Sequence, residues 1–168
     1  MFGLMFSFIS VHADEGMWTF ANLPKKILKE KYGFEPTDEW LEHIRLSSVR
    51  FNDGGSGAFV SPKGLVMTNH HVALGQLQKM SDAQNNYVQS GFYAHTYAEE
   101  KPCPDLELNV LMMMIDITEK VQSAGHPRMK PKEALEAREQ IISKLQKYYH
   151  DSTGLRVDIV SLYQGGEY

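Results

Sequence analysis

The chain has 168 residues, 42% of them hydrophobic and 23% charged, with a formal net charge of −4 at pH 7. This balance excludes a disordered segment and suits one folded domain with a core of its own. The acidic surplus, without any basic run, argues against nucleic acid or an anionic membrane surface as the main partner, and no apolar run is long enough to span a bilayer.

Met1 to Ser10 carry no charge and are rich in Phe, Leu, Met and Ile, and Val11-His12-Ala13 ends on the small residue that a signal peptidase accepts. Residues 1–13 therefore read as a secretory signal without the usual basic start; a buried N-terminal strand is the other reading. Cleavage leaves a mature chain that begins at Asp14 and works in the periplasm or outside the cell. Leu23-Pro24 then opens a short basic helix over Lys25 to Lys31 that stops near Gly33. Thr37 is a good N-cap for a second helix, Asp38 to Leu46, with Asp38 and Glu39 in its first turn and Arg45 in its last. Trp40, Leu41 and Ile44 form its apolar face, and His43 reads as a surface residue rather than a ligand.

Ser48 to Phe51 alternates and predicts a strand. The stretch from Gly54 to Val72 follows and organises the rest. Ala58-Phe59-Val60 and Leu65-Val66-Met67 flank a Pro62-Lys63-Gly64 turn, which predicts a β-hairpin. His70 and His71 come just past the second strand, and a helical turn begins at Val72, with Leu77 and Met80 on its apolar side and Gln76, Gln78 and Lys79 on its polar side. An imidazole at the end of a strand is held by a rigid scaffold, as a general base requires.

Another helix is predicted over Asp82 to Gln89, ending at Gly91. Phe92, Tyr93, His95 and Tyr97 either line a peptide-binding cleft or pack a loop onto the core. Cys103, the one cysteine, lies between Pro102 and Pro104; it has no partner in this chain for a disulfide or a CxxC site, and reads as buried or paired elsewhere rather than as a catalytic thiol. Leu106 to Ile117 predicts a long strand that becomes buried on both faces, with Met112, Met113 and Met114 as core filler. Lys132 to Tyr149 is an amphipathic helix closed by Thr153-Gly154, and Leu155 to Tyr163 alternates as a strand. Neighbouring His70 and His71 on a strand would point to opposite faces, and His95, His126 and His150 show no ligand spacing, so no metal is expected.

The run "Gly-Ser-Gly, apolar strand, turn, apolar strand, Thr-x-x-His" resembles the histidine half of a chymotrypsin-fold serine protease. Thr68-Asn69-His70-His71, taken with Asp14-Glu15-Gly16-Met17-Trp18, Tyr32-Gly33-Phe34-Glu35-Pro36-Thr37 and Leu162-Tyr163-Gln164-Gly165-Gly166, resembles the S46 family of bacterial dipeptidyl-peptidases from Asp14 to the last residue. The resemblance implies a mainly β fold with peripheral helices (α+β): part of a chymotrypsin-like β-barrel, the first of two, with residues 14–168 forming the N-terminal part of the peptidase domain. It implies His71 as the catalytic base and acid, with His70 as its neighbour, no cofactor, and oligopeptide substrates with a free N-terminus. It leaves a homodimer of the full-length protein open.

Two partners of the histidine remain to be found. Asp116 is a candidate triad acid, but the family's acid is expected in a later segment with an Arg-Val-Tyr-like run that this chain lacks; the other reading of Asp116 is a cap on the next helix. No Gly-x-Ser-x-Gly elbow occurs, and Ser56 in Gly55-Ser56-Gly57 belongs to the hairpin scaffold. The resemblance puts the serine beyond Tyr168, so the 168-residue chain alone is expected to be inactive. A non-catalytic, protease-like β-barrel interaction module is the second reading. N-terminal sequencing of the exported protein should begin at Asp14; a start at Met1 would end the signal-peptide reading.

Overall fold

The computed structural model describes residues 14, 16, 18–126 and 128–168. The expected signal over residues 1–13 lies outside them. The chain divides into two compact units, Met1–Met112 and Met113–Tyr168.

In the first unit, α1 spans Lys25–Tyr32 and α2 spans Asp38–Ser47. Gly33 ends α1 with φ 63°, and its N–H donates to the Lys29 carbonyl while Phe34 N–H reaches the Leu28 carbonyl, which closes the last turn. Thr37 caps α2 as expected, its hydroxyl oxygen accepting from Trp40 N–H at 3.1 Å. Trp40 is less enclosed than predicted, 42% exposed, and stacks edge-on against Phe34 at 5.1 Å. No sequence pattern marks a further tie: Asp14 accepts hydrogen bonds from both Lys31 Nζ and Tyr32 Oη, joining the start of the described chain to α1. The Lys31 ammonium, then the Tyr32 hydroxyl, hold the Asp14 carboxyl below its ordinary value, so this tie strengthens above that value and weakens as pH falls through the folded one.

Four short strands form one antiparallel sheet: β1 Ser48–Phe51, β2 Ser56–Phe59, β3 Val66–Thr68 and β4 Leu108–Val110, in the order β3-β2-β1-β4. The predicted hairpin is β2–β3, with Gly57 opposite Thr68 and Phe59 opposite Val66. Ser61 stiffens its loop by accepting from both Lys63 N–H and Leu65 N–H. Alternation on β1 sends Val49 and Phe51 inward and Arg50 outward. Val49 and Phe51 join Val72 in the core, with Phe59, Val66, Leu106 and Val110 around them. Each such buried side chain is worth about 1.5–3 kcal/mol.

Helix α3 runs over His70–Met80, starting two residues earlier than the sequence predicted, with Asn69 extended before it. Gln76 also differs: it was placed on the polar side but is buried, 4% exposed. It lies one turn after Val72, so the helical period carries it onto the same inward face. The helix predicted over Asp82 to Gln89 shrinks to α4, Tyr87–Ser90. Asp82 Oδ1 accepts from Gln84 N–H and Asn85 N–H, and this local turn competes with helix. A 3₁₀ turn follows at Tyr97–Glu99.

The long strand predicted over Leu106 to Ile117 is corrected to the three residues of β4. Its partner β1 has only four residues, and beyond Val110 the carbonyls of Leu111 and Met112 accept from the Arg45 guanidinium instead of from a strand. Leu111 to Ile115, expected to be buried on both faces, are each between 42% and 49% exposed. Strand content is thus smaller than a mainly β fold suggests, and the architecture is α+β.

In the second unit, α5 spans Thr118–Gln122 and α6 spans Pro131–Thr153. Ile117 and Val121 form its buried centre. The C-terminal residues dock on α5: Ile117 N–H donates to the Tyr168 carbonyl at 3.0 Å, and Gln122 Nε2 donates to the Gly166 carbonyl at 2.9 Å. Ala134, Ile141, Ile142 and Leu145 are half-buried on α6, whereas Leu135 faces outward. The strand predicted over Leu155 to Tyr163 is absent: the Val157 carbonyl accepts from Gln146 Nε2 of α6, and only Leu162 forms a bridge, to Glu167.

One close approach locks the first unit. Gly55 has φ 92°, and a Cβ there would lie 2.5 Å from Val72 Cγ2. Gly55→Ala therefore meets both a left-handed backbone and a methyl clash, and is expected to lower unfolding stability in urea by roughly 2–4 kcal/mol. Adding Val72→Ala should return part of that loss; strict additivity would refute the contact.

Candidate active site

Strand β3 ends at Thr68, whose hydroxyl donates to the Ser56 carbonyl at 2.8 Å. Asn69 is extended, with φ −79° and ψ 149°, and α3 begins at the next residue. His70 and His71 are therefore the first two helical residues rather than strand residues, and both are exposed. A shallow cavity of about 230 Å³ opens beside His71, lined by Asp53, Gly54, Gly55, Val72 and Gly75 as well as the imidazole. A base of this kind is presented by the hairpin on one side and by the Gly55–Val72 contact on the other.

The remaining predicted residues are placed as follows. Asp116 Oδ1 accepts from Thr118 N–H at 2.9 Å, and the Thr118 side chain and main chain together hold its carboxyl below the ordinary carboxylate value. Asp116 thus makes a local bond to the first residue of α5, whose N-cap position is Ile117. Ser56 lies in β2 as part of the scaffold. Cys103 is exposed, so the buried reading of that thiol is corrected; the Pro102-Cys103-Pro104 segment runs along the surface. His43 is on the surface of α2.

The other histidines are engaged locally. His95 N–H donates to Glu99, the His126 ring accepts from Arg128 N–H, and His150 Nδ1 lies 2.8 Å from the Leu155 carbonyl. Among the described residues no group of three His, Cys, Asp or Glu could hold a metal ion. In the aromatic segment Phe92 meets Tyr87 of α4 edge-on at 5.2 Å, with Lys101 over the Tyr87 ring, while Tyr93 and Tyr97 are exposed. None of its rings lines the His71 cavity.

Sequence reasoning missed two residues of this neighbourhood. The buried Gln76 leaves its Oε1 without a hydrogen-bond partner among the described residues, and its helical spacing from Val72 was the available signal. Asp53, in the turn between β1 and β2, carried no motif at all.

The Peptidase S46 family model matches residues 13–168. The chain belongs to the peptidase S46 family. It is 31% identical over 166 residues to dipeptidyl-peptidase 7 of Capnocytophaga gingivalis, covering 94% of this chain and 23% of that protein. It is 29% identical over 168 residues to the Asp/Glu-specific dipeptidyl-peptidase of Porphyromonas endodontalis, covering 94% and 23%. The crystal structure of Porphyromonas endodontalis DPP11 in complex with the dipeptide Arg-Glu superposes with a TM-score of 0.67 at 26% identity, over 92% of this chain and 24% of that one. This S46 chain thus spans about a quarter of the length of these relatives.

In the full-length protein, Asp116→Ala should leave any peptidase activity within about twofold. Loss of a triad carboxylate costs on the order of 10⁴ in turnover; a fall of that size would return Asp116 to the triad.

Proposed function

We propose that this chain is the histidine-bearing part of an extracytoplasmic serine dipeptidyl-peptidase that removes dipeptides from the free N-terminus of oligopeptides. The observation that carries the reading is His71, set at the junction of a hairpin and a helix, open to a cavity, in a chain of the S46 peptidase family. On this reading the four-stranded sheet belongs to the first of two chymotrypsin-like barrels. Residues 1–13 are its export signal, and the triad acid and serine come from sequence outside these 168 residues.

The chemistry follows from the role of an imidazole. The serine hydroxyl attacks the carbonyl carbon of the second residue's peptide bond while its proton passes to the neutral His71 ring, giving a tetrahedral oxyanion. The C–N bond then breaks, and the imidazolium returns the proton to the leaving amine. Water attacks the acyl-enzyme, gives its proton to His71, and the proton goes back to the serine as the dipeptide acid departs. One imidazole thus serves as base and acid in each half, with no net proton change on the enzyme.

The experiment is dipeptide release from oligopeptides by the full-length protein. His71→Ala should lower kcat by roughly 10⁴-fold or more, because removing the base of a triad removes most of the chemical acceleration. His70→Ala should retain most activity. Loss with His70→Ala alone would move the base by one residue, and unchanged release with His71→Ala would overturn the peptidase assignment of this site.

A further inference from the structure

The cavity beside His71 has one charged wall. Asp53 and His71 both line it, and the Asp53 carboxylate has no hydrogen-bond or ion-pair partner among the described residues. The turn that carries Asp53 is anchored through its neighbours. Asn52 Nδ2 donates to the Asp105 carbonyl at 3.0 Å, Asn52 Oδ1 accepts from Glu107 N–H at 2.9 Å, and Asn52 N–H donates to the Glu107 carbonyl. On the other side, Phe51 N–H donates to the Gly55 carbonyl, and Gly55 is fixed against Val72. Asp53 therefore sits on a turn anchored at both ends. Gly54, Gly55 and Gly75 add no side chains to the cavity wall, and its volume of about 230 Å³ is several times the roughly 30 Å³ of a liquid water.

The role of His71 decides which part of a substrate meets this wall. A general acid must come within hydrogen-bond reach of the leaving nitrogen, so the first residue beyond the scissile bond lies against the imidazole. We propose that the cavity beside His71 receives that residue and that the Asp53 carboxylate makes it select a cationic side chain, Lys or Arg, there. The proposal rests on the peptidase reading given above. An unpaired carboxylate near the surface attracts a cation and repels an anion at the same position, an effect that salt weakens.

The test uses the full-length protein and three oligopeptides that share their first two residues and carry Lys, Gln or Glu at the third. The kcat/KM values should fall in the order Lys, Gln, Glu, with about two- to fivefold between neighbours in the series. Added salt should compress the series. Asp53→Asn should collapse it, and Asp53→Glu should restore it. A wild-type enzyme that treats the three alike, or an Asp53→Asn enzyme that keeps the order, overturns the proposal. An equal fall on all three substrates in Asp53→Asn, unrelieved by Asp53→Glu, makes Asp53 a turn residue only and also overturns it. Failure of the peptidase reading looks different: no dipeptide is released from any of the three, or release survives His71→Ala.

Discussion

The pairing of Gly57 with Thr68 fixes almost everything that follows in the first unit. Side chains on a strand alternate, so a slip of one residue would turn Phe59 and Val66 away from Val49 and Phe51 and leave the core unfilled. The same register sets where β3 ends. Thr68 is held to the Ser56 carbonyl, Asn69 turns the chain, and the helix starts with the two histidines. The position of His71 is therefore a consequence of hairpin register rather than of any contact made by the imidazole itself. The contact of Gly55 with Val72 secures the other end, because it joins the turn after β1 to the first turn of α3.

Local chemistry was legible in the sequence wherever it was complete. Thr37 with Asp38 and Glu39 announced α2, Pro131 and Gly154 bracket α6, and the Pro62-Lys63-Gly64 turn announced the hairpin. His71 was legible as a site because a motif surrounds it. What was not legible depended on partners distant in sequence. Apolar alternation from Leu106 predicted a strand, but a strand extends only as far as its neighbour, and Arg45 takes the carbonyls that run past the start of β1. The alternation after Leu155 was overridden in the same way by Gln146. Asp82 shortened α4 by offering the backbone a turn of its own. Gln76 was misplaced because residue polarity was given more weight than helical spacing.

The two units rest on different kinds of support. The first is a sheet with one inward face and a helix laid against it, so its core gathers residues far apart in the chain. The second is built around Ile117 and Val121, with the last residues returning to α5 through main-chain bonds. Asp116 belongs to that second arrangement, two residues before α5 begins, with its carboxylate accepting from Thr118 N–H. Its carboxyl is held below the ordinary carboxylate value by the Thr118 side chain and main chain.

Among the described residues β3 and β4 are the edge strands of the sheet, and the chain leaving β4 carries five exposed apolar residues in succession, Leu111 to Ile115. Leu65 and Met67, on the β3 side, are barer still. Unpaired main-chain donors and acceptors beside an uncharged, apolar ribbon form a template on which another copy can add strand by strand. For the 168-residue chain handled by itself, the practical outcome is a colloidal one. The five-residue apolar ribbon carries no charge or proline to interrupt such pairing, and a charge or a proline placed among the three methionines would supply one.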